Sequence, residues 1–271
     1  MAFIARSADA DFAAALRWHL APFRRLNSEP HAFPIDLFVA EEDRDADPRP
    51  YSFFILNRLQ YRDHRMADVL AYALWAVHGL VPRRAKEFLF LHAGAASRDG
   101  QAVLVPAPME HGKSTLVLAL LLQGFDYLSD ELGALDPATA RALPFPKRMT
   151  LHQDSLRFFP GLEDRLADRI GLSALLPQRY VRPEDVGVRA GVPVPVRWLV
   201  FPTLDWNGPP RLSALPRAEA VKQMAANCFD LYRHKDRGVL LLARLAKEAQ
   251  AFRLDGGSPR ERAALLAEEL T

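Results

Sequence analysis

A single cysteine, Cys228, stands in a chain of 271 residues, so no disulfide can close within it and no metal site can be built from thiolates. An excess of charge is missing as well. The 35 Lys and Arg balance 33 Asp and Glu to a net +2, which gives no basic surface for nucleic acid. No apolar run approaches the length of about 18 residues that would suggest a membrane span. The start, Met1–Arg6, has neither the basic stretch nor the apolar core of a signal peptide. The expectation is therefore a cytoplasmic protein with no membrane and no nucleic acid among its partners. What remains is 49% hydrophobic and 25% charged, ordinary globular usage that rules against a disordered or fibrous chain.

The apolar pattern divides the chain in two. Residues 1–85 read as a small α+β segment: a helix over Asp9–Trp18, strands at Ile35–Ala40 and over Tyr51–Leu59 ending near Asn57, and a polar, proline-bearing loop at 42–50. A helix from Arg65 is expected to stop at Gly79 and Pro82. Residues 86–271 read as a larger α/β domain. Phe88–Ala96 and Ala102–Pro106 look like strands joined by a tight turn at Asp99-Gly100, because Asp-Gly accepts positive φ at both central positions. A strong helix over Lys113–Gln123 follows, closed by Gly124, and then a short strand, Phe125–Leu128. Residues 152–191 are polar without clear periodicity and are expected to form an active-site flap. Val196–Thr203 and Ala251–Leu254 read as strands, and Arg217–Phe229, Lys235–Glu248 and Pro259–Glu269 as helices.

The chemistry lies between the second strand and the first helix of the larger domain. Ala107-Pro108-Met109-Glu110-His111-Gly112-Lys113-Ser114 fits G-x-x-x-x-G-K-[ST] except that alanine replaces the first glycine. Strand, loop and helix is the arrangement in which consecutive backbone amides and a helix N-terminus surround phosphate oxygens. In that reading Lys113 reaches the β- and γ-phosphates, Ser114 ligates Mg²⁺, and Thr115 opens the helix. Asp130 and Glu131 close the following strand. A carboxylate there could take the proton of an attacking hydroxyl or hold the metal.

In order and spacing these residues resemble the catalytic domain of HPr kinase/phosphorylase and the smaller HPr-related kinases. The likeness rests on Leu91-His92-Ala93-Gly94, on the loop Ala107–Ser114, and on Gly124-Phe-Asp-Tyr-Leu-Ser-Asp130-Glu131; it covers about residues 88–150. It implies a phosphate-loop fold with a mixed sheet, shared with phosphoenolpyruvate carboxykinase. It also implies ATP-dependent, Mg²⁺-dependent phosphorylation of a hydroxyl, a serine on a protein, a peptide or a small molecule. Asp130 would be the catalytic base and His92 its orienting neighbour, with Ser114, Asp130 and Glu131 around the metal. The Glu-x-Arg-Gly signature of that family has no close counterpart; Arg189-Ala-Gly191 is its faint echo.

Lys147 and Arg148, after Pro144-Phe-Pro, are further candidates for clamping a phosphoryl group, as are Arg179, Arg182 and Arg189. Two rival readings stand beside the kinase: an NTP-hydrolysing switch with water as nucleophile, and a non-catalytic, nucleotide-responsive binding module. Homo-oligomer formation is left open by the sequence.

Overall fold

The computed structural model describes residues 3–23, 35–41, 50–166 and 177–270. It contains two compact units, Met1–Ala85 with Asp168–Arg179, and Lys86–Ala167 with Tyr180–Thr271. The first unit holds β1 (Phe3–Ser7), α1 (Ala10–Leu20), β2 (Ile35–Glu41), β3 (Tyr51–Ile55), β4 (Arg58–Asp63) and α2 (Met66–Arg84). Its four strands form one sheet in that order, β1 parallel to β2 and the others antiparallel. Helix α1 begins where Asp9 Oδ1 accepts the Phe12 amide at 2.6 Å, the usual role of Asp at an N-cap.

Two expectations need correction in this unit. The strand expected to end near Asn57 ends at Ile55, and the chain returns as β4 because Leu56 and Asn57 both take positive φ, 49° and 60°, reversing it in two residues. Helix α2 runs through Gly79 and Pro82 to Arg84. Proline in the last turn removes one backbone hydrogen bond near an end that frays in any case, and the buried face of Val69, Leu70, Leu74 and Val77 is carried on by Pro82. Of the expected loop at 42–50, residues 42–49 lie outside the described residues.

The second unit is mixed α/β. Its strands are β5 (Leu89–Arg98), β6 (Gln101–Pro106), β7 (Asp126–Ser129), β8 (Leu132–Leu135), β9 (Arg141–Leu143), β10 (Met149–His152), β11 (Gln178–Val181), β12 (Val194–Pro202), β13 (Arg211–Ala214) and β14 (Gln250–Asp255). Helices α3 (Lys113–Leu121), α4 (Arg217–Ala226), α5 (Leu231–Glu248) and α6 (Pro259–Glu269) accompany them. Eight strands make one mixed sheet, in the order β13-β14-β12-β6-β5-β8-β9 with β7 also on β5; β10 and β11 stand outside it. Central β12 is parallel to both β6 and β14, while β5 and β6 form the expected hairpin through Asp99 and Gly100, at φ 52° and 74°.

Both faces of the sheet are covered. On β6, Val103 and Val105 join α3 and α6 in one core cluster, and Ala102 and Leu104 join α4 and α5 in the other, the period-2 alternation of a strand buried on both sides. On β12 the alternation changes phase between Val196 and Trp198, where the register against β6 shifts. Helix α5 is longer than the expected Lys235–Glu248; it contains a break at Lys235, whose φ is 48°. The stretch 152–191 is not a featureless flap: its described part carries short 3₁₀ turns and β11, and 167–176 lie outside the described residues.

Strand β5 organises the rest. Residues Ala93–Arg98 pair with β6 on one edge, while on the other edge Ala95–Ser97 pair with β7 and Leu89–His92 with β8. Strands β7 and β8 are thus one antiparallel neighbour of β5, interrupted at Asp130-Glu131 opposite Ala93 and Gly94. At Gly94 the loop helix lies on the strand: a β-carbon there would come within 2.6 Å of Val117 Cγ2 and 3.7 Å of Lys113 Cβ. Gly94→Ala is therefore expected to destabilise the fold by about 1–3 kcal/mol by overpacking. Urea unfolding of Gly94→Ala, Val117→Ala and the double variant checks this: the double variant should lose clearly less than the sum of the singles, whereas strict additivity would place the strain elsewhere.

Candidate functional site

The loop Ala107–Gly112 leaves β6 beside the middle of β5, and the Ala107 amide donates to the His92 carbonyl at 3.3 Å. Ala107 is buried and is not among the residues with positive φ; those in the loop are Glu110, at 63°, and Gly112, at 74°. Alanine in place of the first glycine thus carries no backbone strain here, and the left-handed turn inside the loop is made by Glu110 instead. Gly112 is the N-cap of α3 and has no side chain to cap it. The first helical bond is Leu116 N–H to Gly112 O, 2.9 Å, so the amides of Lys113, Ser114 and Thr115 precede the ladder and can serve an anion. Pro108 and the exposed Met109 form the outer turn of the loop, and His111 Nδ1 lies 2.9 Å from the Met109 carbonyl.

Lys113 is buried and donates to the Pro108 carbonyl at 2.6 Å. Burial lowers its pKa to about 8, with Glu131 and Asp130 opposing the shift. Ser114 Oγ donates to Asp130 Oδ2 at 3.2 Å across 16 residues of sequence. Thr115 faces another way, its hydroxyl 3.2 Å from Ser155 Oγ.

Asp130 is the most heavily partnered group in the site and is only 1% exposed. Its Oδ1 receives the Lys147 ammonium at 2.8 Å and lies 2.9 Å from the Tyr127 hydroxyl; its Oδ2 accepts the Thr150 amide at 2.9 Å and Ser114. The carboxylate arrives there because Ser129 Oγ accepts the amides of Glu131 and Leu132, turning the chain out of the ladder, and Glu131 O accepts the Ala93 amide at 3.0 Å. The acidic pair directly follows the end of β7, as expected, and β8 resumes the pairing to β5 after it.

Lys147, 1% exposed, also reaches Glu131 at 3.5 Å and Thr150 Oγ1 at 3.1 Å. Burial alone would depress its pKa, but Asp130 and Glu131 outweigh that and hold the ammonium charged. Burial, with Asp130 beside it, raises the Tyr127 phenol well above its ordinary value. Glu131 is the outward member of the pair, its side chain 42% exposed.

His92 lies on β5 behind this group. Its pKa falls to about 4, first through burial and then through Lys113 and His111, Asp130 opposing, so the imidazole is neutral near pH 7. Its ring meets Phe229 edge to face at 5.5 Å. Cys228, next to Phe229, has its thiol pushed up to about 11 by burial, which makes it a packing residue and a poor nucleophile.

The structure thus brings Lys113, Ser114, Asp130 and Glu131 together with Lys147, which sequence marked only as a candidate. Tyr127 and Thr150 were missed; a buried tyrosine three residues before an acid, whose hydroxyl needs a partner, was the available signal. The other basic candidates go elsewhere. Arg148 pairs with Glu184 at 3.7 Å, Arg182 with Asp185 and Arg189 with Asp126 at 3.5 Å. The backbone of Arg189–Gly191 does approach the site, since Tyr127 N–H donates to Arg189 O and Gly191 N–H to Tyr127 O. Among the described residues no cluster of three or more His, Cys, Asp or Glu could hold a metal, and no helix is long and apolar enough to cross a membrane.

No protein-family model matches this chain, and no curated protein matches it.

A buried charge left alone is far costlier than a buried pair is favourable. Lys147→Met should therefore cost about 3–5 kcal/mol of unfolding free energy, and Lys147→Met/Asp130→Asn should recover a clear part of that loss. Chemical denaturation of Lys147→Met, Asp130→Asn and the double variant decides it; a double variant as unstable as the two losses summed would contradict an ion pair as the organising contact.

Proposed function

We propose that this chain is an ATP-dependent kinase that transfers the γ-phosphate to a hydroxyl, a serine on a protein or peptide or a small-molecule alcohol. The observation that carries the reading is the Ser114–Asp130 contact at the N-terminus of α3, with two buried lysines, Lys113 and Lys147, on either side of it. A surface turn of two acids and a stray Gly-Lys-Ser would have no reason to meet across 16 residues.

In this mechanism the amides of 113–115 and the Lys113 ammonium, released from Pro108, hold the phosphate tail. The donor set also fits magnesium. Ser114 Oγ and Asp130 Oδ2 are adjacent oxygens, and with the phosphates themselves they are the kind of sparse oxygen set this ion uses. When bound it would neutralise charge on the β- and γ-phosphates. Asp130 orients the acceptor hydroxyl and receives its proton as the new O–P bond forms and the bond to ADP breaks. Lys147 compensates charge at Asp130 and beside the transferring group. Neutral His92, on the same face of β5 as Gly94 and α3, adds no competing cation. Since Asp130 is so closely held, Glu131 is the carboxylate an acceptor meets first at the surface, and comparing Asp130→Asn with Glu131→Gln separates the base from its neighbour.

The test is transfer of label from γ-labelled ATP with Mg²⁺ to serine peptides and free serine. Lys113→Ala should reduce transfer at least about 100-fold. Only charged Lys113 binds phosphate, so nucleotide affinity should be level near pH 7 and fall as pH rises through about 8, approaching tenfold per unit beyond it. Label released only as inorganic phosphate would favour the hydrolytic switch, and binding without turnover the nucleotide-responsive module; a pH-independent affinity would remove Lys113 from the site.

A further inference from the structure

The connection after β12 presents an aromatic ring to the phosphate loop. Trp206 is 41% exposed, yet a β-carbon on Gly112 would sit 3.3 Å from its Cη2. The indole therefore borders the residue that opens the loop helix. An exposed tryptophan on a loose connection would be unremarkable; this one is held.

Arg262 of α6, itself 1% exposed, lies over the Trp206 ring with its guanidinium carbon 4.1 Å from the centroid. That guanidinium donates to three carbonyls of the surrounding turns, Gly256 at 2.6 Å, Thr203 at 3.1 Å and Asp205 at 2.6 Å. The Gly256 amide donates to Asp205 O and the Gly257 amide to Gly208 O, each at 2.9 Å. Both glycines have positive φ, and a β-carbon on Gly256 would fall 2.3 Å from Pro209 O. A buried cation and two tightly packed glycines thus immobilise the Thr203–Pro210 turn. One face of the indole is covered by Arg262, its edge rests near Gly112, and the rest faces solvent. Rigid aromatic surface next to an anion-binding helix start is what a nucleotide with a flat base requires.

We propose that Trp206 is the stacking platform for the nucleobase of a bound nucleoside triphosphate. The inference rests on the phosphate-loop reading above and extends it to the other end of the ligand. Stacking uses the π-face common to all bases, so Trp206 supplies affinity without choosing between adenine and guanine.

Calorimetric titration of wild type, Trp206→Leu, Trp206→Phe and Lys113→Ala with Mg·ATP, Mg·GTP and inorganic triphosphate tests it. Trp206→Leu should weaken both nucleotides about 10- to 100-fold and leave triphosphate unchanged, with Trp206→Phe retaining most of the nucleotide affinity. Lys113→Ala should weaken all three ligands. Nucleotide affinity unchanged in Trp206→Leu would overturn the platform while leaving the phosphate site intact. Loss of triphosphate and nucleotide alike in that variant would also overturn it, by reducing Trp206 to a prop for the loop. Wild type that binds neither triphosphate nor nucleotide would remove the phosphate-loop reading, and the platform with it.

Discussion

The site is organised by one buried ion pair, Lys147 with Asp130, at 2.8 Å and almost wholly removed from water. Desolvating two charges is expensive, and their attraction offsets it only where remaining lone pairs and protons are also met. Here they are: Thr150 N–H, Ser114 Oγ and the Tyr127 hydroxyl surround the carboxylate, and Thr150 Oγ1 and Glu131 take further directions of the ammonium. These groups come from four stretches of chain: the loop helix, β7, the interruption before β8, and β10. The pair can form in one assembly of those pieces only, so its contribution is to specify geometry more than to add stability.

Strand β5 makes that assembly physically available. Its middle residues, Ala93 and Gly94, face β6 on one edge and the interrupted β7–β8 edge on the other, and Gly94 leaves room for α3 above. The loop Ala107–Gly112 and the acidic pair are thereby delivered to the same place by two neighbours of a single strand. Because α3 is buried nearly all round, the loop is anchored to the core, while the catalytic candidates project from its rim. Rigid support below and an open anion-binding turn above is the division of labour that positioning chemistry needs.

Much of this was readable in the sequence where local chemistry decides the outcome. The Asp99-Gly100 turn, the loop-to-helix junction, the terminal helix at Pro259–Glu269 and the mixed α/β class follow from residue types with strong conformational preferences. The structure places Ser114 against Asp130. Errors came where tertiary burial outweighs a local signal: Pro82 is carried inside α2, and Leu56 joins Asn57 in a left-handed turn that its own preference would not suggest. Short strands such as β9 and β13 have no period of their own and exist through their partners. Lys147 and Trp206 share a different obstacle, since each makes a contact distant in sequence that no spacing rule encodes.

The loop Ala107–Gly112 carries its left-handed residues at Glu110 and Gly112 and none at Ala107. What such a loop conserves physically is therefore a succession of backbone hands, with side-chain letters only as the commonest way of writing it. Glycine is indispensable where the hand must be left and a neighbour crowds the β-carbon, as Trp206 crowds Gly112. Where the hand is right, the same glycine is a spelling that can drift. Two chains can thus read differently at the first position of the motif and still present one and the same cradle of amides.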